Sequence, residues 1–149
     1  MLKNFISYNL RYLIGLFTLI LLGFGWTTGN AQNVSVLGAT IGNGSYPTLN
    51  AAFTAINGNA QLGANITISI VGNTVEGAPA TLNGGFWASF NITPVGNRQI
   101  VGSLNGPLID FNSADIVVID GLNNGSNSLT INNQSQNSIA STIQFRQEA

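Results

Sequence analysis

The strongest constraint in this chain is its alternation. Asn65-Ile-Thr-Ile-Ser-Ile-Val71 places an apolar residue at every second position, and weaker versions recur at 88–93, 99–101, 108–111, 116–120, 129–132 and 142–145. Period-two patterning sends successive side chains to opposite faces of a strand. The runs are short, rich in β-branched residues and separated by Asn/Gly segments that read as turns. A further short strand is predicted within 32–44, at Asn33-Val-Ser-Val-Leu37, as an edge strand.

One segment breaks the pattern. Thr48 is an N-cap residue, followed by Leu49, Ala52, Phe53 and Ile56 at i, i+3, i+4 and i+7, with Asn57-Gly58 as the stop. This predicts a helix over about 48–57. A helix so short is not stable alone in water, so its apolar stripe is expected to cover the open end of a β core. The class is therefore all-β with a helical cap.

From the helix stop onward, Asn-Gly dipeptides begin at Asn57, Asn83, Asn105 and Asn124. Repeats of this size indicate a solenoid, and one coil of a parallel β-helix is of that length. Asn-Gly is also a strong hairpin signal, so 99–111 around Asn105-Gly106 reads equally as an antiparallel hairpin within an antiparallel β-sandwich. The capping helix favours the solenoid, because the terminal repeat of a stack needs covering.

Ahead of this domain stands a leader. Lys3 and Arg11 precede an uncharged apolar run over 13–24, and Gly29 and Ala31 place small residues at minus three and minus one of a cut before Gln32. Residues 1–31 are predicted to be a cleavable secretory signal. The apolar run, about a dozen residues, is shorter than the roughly 20 that a membrane span needs. The chain has no Cys, which excludes both disulfides and a cysteine-acylated lipoprotein. Cleavage leaves 32–149 as one modest domain, with the cap at about 48–57 and coils from about 65 onward. Because 142–145 reads as a strand with no second cap after it, the chain is expected to be the front part of a longer protein.

The segment after the leader holds two cations (Arg98, Arg146), five acids (Glu76, Asp110, Asp115, Asp120, Glu148) and no Lys. Binding nucleic acid calls for clustered cations, so that class of partner is set aside, and no membrane association is expected once the signal is removed. The whole chain has no His, which with the missing Cys removes Ser-His-Asp and Cys-His catalysis and His/Cys zinc sites. No phosphate loop can form without Lys.

Tyr46-Pro-Thr-Leu-Asn-Ala-Ala-Phe-Thr-Ala-Ile56 resembles the capping helix of many pectin-lyase-like right-handed β-helices. The segments at 92–97, 100–102, 114–122 and 129–133 are similar to successive coils of that family, especially its large secreted members exported through a type IX system. The resemblance implies that Val117, Ile119 and Leu122 point inward, that Ile116, Val118 and Asp120 face outward, and that Asn132 and Asn133 occupy turns. Pectate lyases of this fold carry a His where this chain has Gly121, so lyase chemistry is not expected from Val118-Ile-Asp-Gly121.

Two groups remain as candidate sites. Asp110, Asp115 and Asp120 are spaced by five residues; Asp115 and Asp120 are weak candidates for a calcium ion, and turn placement is the plainer reading of all three. Asn83-Gly-Gly-Phe-Trp-Ala-Ser-Phe90 concentrates aromatic residues, and Phe86 and Trp87 are candidate sugar-stacking rings, against the alternative that they pack on the core. No catalytic residue and no cofactor are assigned. Six Asn-x-Ser/Thr sequons, beginning at Asn33, Asn43, Asn65, Asn91, Asn124 and Asn133, follow from composition. The leading expectation is a non-enzymatic, adhesin-like secreted or cell-surface scaffold that contacts polysaccharide or cell-surface glycans, with the secretion machinery as a partner in transit. The alternative is the N-terminal part of a β-helix polysaccharide lyase or glycosidase whose catalytic coils lie beyond residue 149.

Overall fold

A computed structural model describes residues 31–147; the predicted signal over 1–31 lies, but for Ala31, outside them. Among the described residues, no helix is long and apolar enough to cross a membrane. Eleven strands and one helix follow in order: β1 Val34–Leu37, β2 Gly44–Tyr46, α1 Leu49–Asn57, β3 Asn65–Ile70, β4 Thr74–Glu76, β5 Ala80–Asn83, β6 Ser89–Pro94, β7 Asn97–Gly102, β8 Pro107–Asn112, β9 Val117–Ile119, β10 Ser128–Asn133 and β11 Ser141–Arg146. The described residues are mostly β, with 45% of them in strands and no closed barrel among them.

The strands form three sheets, ordered β2-β1-β3-β6-β9, β4-β7-β10 and β5-β8-β11. Pairing is mixed. β1 is antiparallel to β2 and β3, whereas β3, β6 and β9, then β4, β7 and β10, then β5, β8 and β11 pair in parallel. From β3 to β8 each strand is joined by the strand three places later in the chain. Register puts like on like: Ile68 beside Ile92 and Ile92 beside Ile119 in the first sheet, Ile100 beside Ile131 in the second, Phe111 beside Phe145 in the third.

These columns are the core. Ile66, Ile68 and Ile70 of β3, Phe90 and Ile92 of β6, Ile100 of β7 and Leu108, Ile109 and Phe111 of β8 are buried, while Val117, Ile119, Leu129, Ile131 and Ile143 of β9 to β11 are partly buried against them. Alternation explains which residues point in. Position in the stack explains how deeply they are covered, since β9, β10 and β11 each lie at an end of their sheet.

α1 covers the other end, packing on β5, β1, β2 and β4. Leu49, Ala52, Phe53 and Ile56 are buried as the periodicity predicts. Phe53 meets Phe90 edge-on at 5.9 Å and Phe111 at 6.5 Å, tying the helix to two sheets. Burying such a ring stabilises by about 2–3 kcal/mol. The helix start is fully supplied with acceptors: Thr48 Oγ1 accepts from Ala51 N (3.1 Å), and the buried Glu76 carboxylate of β4 accepts from Leu49 N and Asn50 N (both 2.9 Å). These satisfy N–H groups that the first turn leaves without intrahelical partners.

Several expectations are corrected. β1 is not an edge strand: it lies between β2 and β3, and Val34 and Val36 are wholly buried. The hairpin around Asn105-Gly106 does not form, because β7 pairs with β4 and β10 and β8 with β5 and β11. The Asn-Gly dipeptides do not mark equivalent positions: Asn57 ends α1, Asn83 ends β5, Asn105 lies between β7 and β8, and Asn124 lies between β9 and β10. Residues that do stack are more widely and unevenly separated, from Asn65 beside Ser89 to Ile109 beside Ile143. Leu122 does not point inward; it is 40% exposed with φ of 59°, a left-handed turn residue that leaves the strand plane. Asn132 lies within β10, and Asn133 is its last residue.

Candidate functional site

The candidate residues sit largely at one corner, where the chain leaves the third sheet and enters the first. It passes there twice, through 84–88 between β5 and β6 and through 113–116 between β8 and β9. Backbone bonds keep the passes in step: Gly84 N donates to Asn112 O and Ser113 N to Arg146 O, both at 2.8 Å. The passes approach so closely that a Cβ on Gly84 would strike the Ser113 carbonyl oxygen, which is why glycine follows Asn83.

Phe86 and Trp87 separate at this corner. Trp87 is 5% exposed, its ring 5.1 Å from Phe90, and its indole N–H donates to the Asp115 carbonyl at 2.7 Å. Trp87 is thus a core residue that pins the outer pass to the inner one, and its face is not open to a ligand. Phe86 is 81% exposed. Its carbonyl accepts from Gly63 N at 2.7 Å, so the ring projects from a fixed backbone.

The lower pass is strained. Ser113 (φ 56°) and Ile116 (φ 55°) are left-handed, and for β-branched Ile116 this is a true outlier. The turn directs the Ile116 carbonyl to Phe90 N at 3.2 Å, so the pairing of β9 with β6 starts from a strained residue.

Beside this pass lies an open groove of about 580 Å³, lined by Ser113, Ala114, Asp115, Phe145, Arg146 and Gln147. That size falls in the range of small-molecule clefts, roughly 300–1,000 Å³. Phe145 is 73% exposed and stacks on Phe111 at 5.2 Å with 25° between rings. Arg146 is fixed by Asp110: its Nε donates to both carboxylate oxygens at 2.9 and 3.1 Å and its Nη2 to Oδ2 at 2.7 Å. Asp110 is 5% exposed at its side chain and Arg146 48%, so the pair presents a guanidinium from a buried carboxylate. Thr81 Oγ1 also donates to Asp110, at 3.3 Å.

Asp110 is therefore not a turn residue; it lies in β8, and its partner comes from β11. Sequence reading missed Arg146 and Phe145 because the ion pair spans 36 residues and only strand register reveals it. Asp115 and Asp120 lie at opposite ends of β9. Asp120 Oδ1 accepts from Leu122 N at 2.9 Å, closing a local turn. Among the described residues no group of three or more His, Cys, Asp or Glu side chains is placed to hold a metal ion. Arg98 lies in β7, in a different sheet from β9.

The corner thus offers two exposed rings, Phe86 on the first pass and Phe145 on β11 beside the second, the latter sharing its groove with a fixed guanidinium and with Asp115. Such a set can stack against the face of a sugar ring and hydrogen-bond its hydroxyls. Compared with protein-family models, curated proteins and solved structures, the chain matches none.

Proposed function

We propose that the chain is an exported right-handed parallel β-helix segment of the pectin-lyase-like kind, serving as a non-enzymatic, adhesin-like scaffold at or beyond the cell surface. One observation carries the architectural part: from β3 to β11 the strands return, three at a time, to parallel partners in strict register. Polar ladders run the same way. Ser89 Oγ donates to Asn65 Oδ1, Ser128 Oγ to Asn97 Oδ1, Ser135 Oγ to Asn105 Oδ1 and Asn112 Nδ2 to Asn83 Oδ1, all between 2.8 and 3.0 Å. Ladders of short polar side chains at the corners hold successive coils together where apolar packing stops.

The binding role rests on the exposed Phe86 of the first pass and on the groove along the second, which suit a polysaccharide chain lying along the corner. Export rests on the leader over 1–31. The test is expression of the whole chain in a secretion-competent bacterium, followed by N-terminal sequencing of the exported product and a polysaccharide-binding screen with the wild type and Phe86→Ala. A product that begins at Gln32 and binds a glycan more weakly once Phe86 is removed supports the reading. Retention of the leader inside the cell, or failure of every polysaccharide to bind, overturns it.

A further inference from the structure

Asn-Gly dipeptides share one latent chemistry; beyond Asn43-Gly44, whose glycine lies in β2 beside Val36, there are four, at Asn57, Asn83, Asn105 and Asn124. The peptide nitrogen of the glycine can attack the side-chain carbonyl carbon of the asparagine, and the absence of a Cβ on glycine leaves the approach open. The fold treats the four sites differently. Gly58 N donates to Ile56 O, and Asn57 is held at both ends of its amide, donating to Thr81 O at 2.7 Å and accepting from Asn83 N at 2.9 Å. Gly84 N donates to Asn112 O, and the Ser113 carbonyl crowds the same glycine. At both sites the nucleophilic nitrogen is committed as a hydrogen-bond donor.

The other two are open. No backbone bond from Gly106 N or Gly125 N occurs among the described residues, and neither glycine has an atom within 4 Å of where a Cβ would stand. They differ in the electrophile. Asn105 Oδ1 accepts one bond, from Ser135 Oγ at 2.8 Å. Asn124 Oδ1 accepts three: from Ser126 N at 3.2 Å, Asn127 N at 2.9 Å and Asn127 Nδ2 at 3.3 Å. Three donors on that atom identify it as oxygen and polarise the amide carbon beside it. They also surround the atom on which negative charge develops during attack, the arrangement that stabilises an oxyanion. The turn wraps this side-chain carbonyl over the following peptide unit, and Asn124 and Gly125 are both exposed.

We propose that Asn124 is a built site of spontaneous deamidation, the most reactive of the four. The deprotonated Gly125 nitrogen attacks Asn124 Cγ, forming a C–N bond as the carbonyl π pair moves to Oδ1. The pair returns, the Cγ–Nδ2 bond breaks and ammonia leaves with a proton from solvent. The resulting succinimide is opened by water at either carbonyl, giving aspartate or isoaspartate. The net change is one water consumed and one ammonia released. The β9–β10 connection gains a negative charge and, in the isoaspartate form, an additional backbone carbon. The loop is anchored to the layer above through Asn127 Oδ1, which accepts from Gly96 N at 2.7 Å, so the modification falls beside a contact between layers.

The experiment is incubation of the purified protein in mildly alkaline buffer, with timed peptide mapping by mass spectrometry and separation of the aspartate and isoaspartate products. A parallel incubation in denaturant serves as the unstructured reference. In the folded protein Asn124 is expected to convert at least about tenfold faster than Asn57 or Asn83, and ahead of Asn105, because its oxyanion is met by preplaced donors. The four rates converge in denaturant, and isoaspartate appears at Asn124. Equal rates at Asn124 and Asn83 in the folded protein overturn the proposal, as does faster conversion at Asn105 or a product at Asn124 that is aspartate alone.

Discussion

Thr74 shows how the interior of this protein is tuned one residue at a time. It is wholly buried in β4, in a column where the next two layers place Ile100 and Ile131, and its hydroxyl meets no hydrogen-bond partner among the described residues. Gln61 is buried to a similar degree but satisfied throughout: its Oε1 accepts from Thr40 N at 2.9 Å, and its Nε2 donates to Ile41 O at 2.8 Å and Ile56 O at 3.2 Å. A buried polar group without a partner costs about 1–3 kcal/mol, whereas a satisfied one is close to neutral or favourable. Thr74→Val is therefore predicted to stabilise the fold by about 1 kcal/mol. Urea unfolding should show a higher midpoint at unchanged slope. A lower midpoint would mean that the hydroxyl is satisfied in solution.

At the scale of elements, α1 joins the first layer through its N-terminus as much as through its apolar stripe. Glu76 takes up the first two helical N–H groups from a strand 27 residues away. Hydrogen bonds to a charged group contribute about 1.5–3 kcal/mol each, and the buried donors would be left without acceptors on truncation. Glu76→Ala is predicted to cost about 3 kcal/mol or more in equilibrium unfolding, with Glu76→Gln losing less because one acceptor remains. Equal stability of Glu76→Ala and wild type would remove this role.

The helix itself was legible, down to its Thr48 cap, because local periodicity and capping chemistry lie within ten residues of sequence. Glu76 was not, because its function depends on which strand lies under the helix. β4 and β5 were missed for a related reason: their inward positions are Thr74 and Glu76, then Ala80 and Leu82, of which Leu82 alone carries a strong apolar signal. In the site, core packing of Trp87 and the corner position of Asp115 could be read from sequence. The exposure of Phe86, the Asp110–Arg146 pair and the left-handed turn at Leu122 could not, since each depends on contacts between layers or on backbone geometry that residue type does not announce.

For the whole molecule, stability is shared among layers rather than concentrated in one enclosed core. The inward residues of the first two layers are buried, and those of the third are partly covered, with Phe145 open on its far side. The Asn-Gly spacing from Asn57 onward does not measure the repeat: one dipeptide ends α1, one ends β5 and two lie in connections, because turn chemistry is demanded wherever the chain bends and not once per layer. What sets the architecture is parallel, in-register return of the strands. Its most direct test uses the absence of native Cys: Gln99→Cys with Thr130→Cys, an exposed pair in register on β7 and β10, against Gln99→Cys with Asn112→Cys, the pair that a hairpin through Asn105-Gly106 would bring together. Neighbouring strands lie about 4.8 Å apart, within disulfide reach. Under mild oxidation the first pair is predicted to crosslink within the monomer and the second to remain as free thiols; crosslinking of the second pair but not the first would contradict the parallel register on which the account rests.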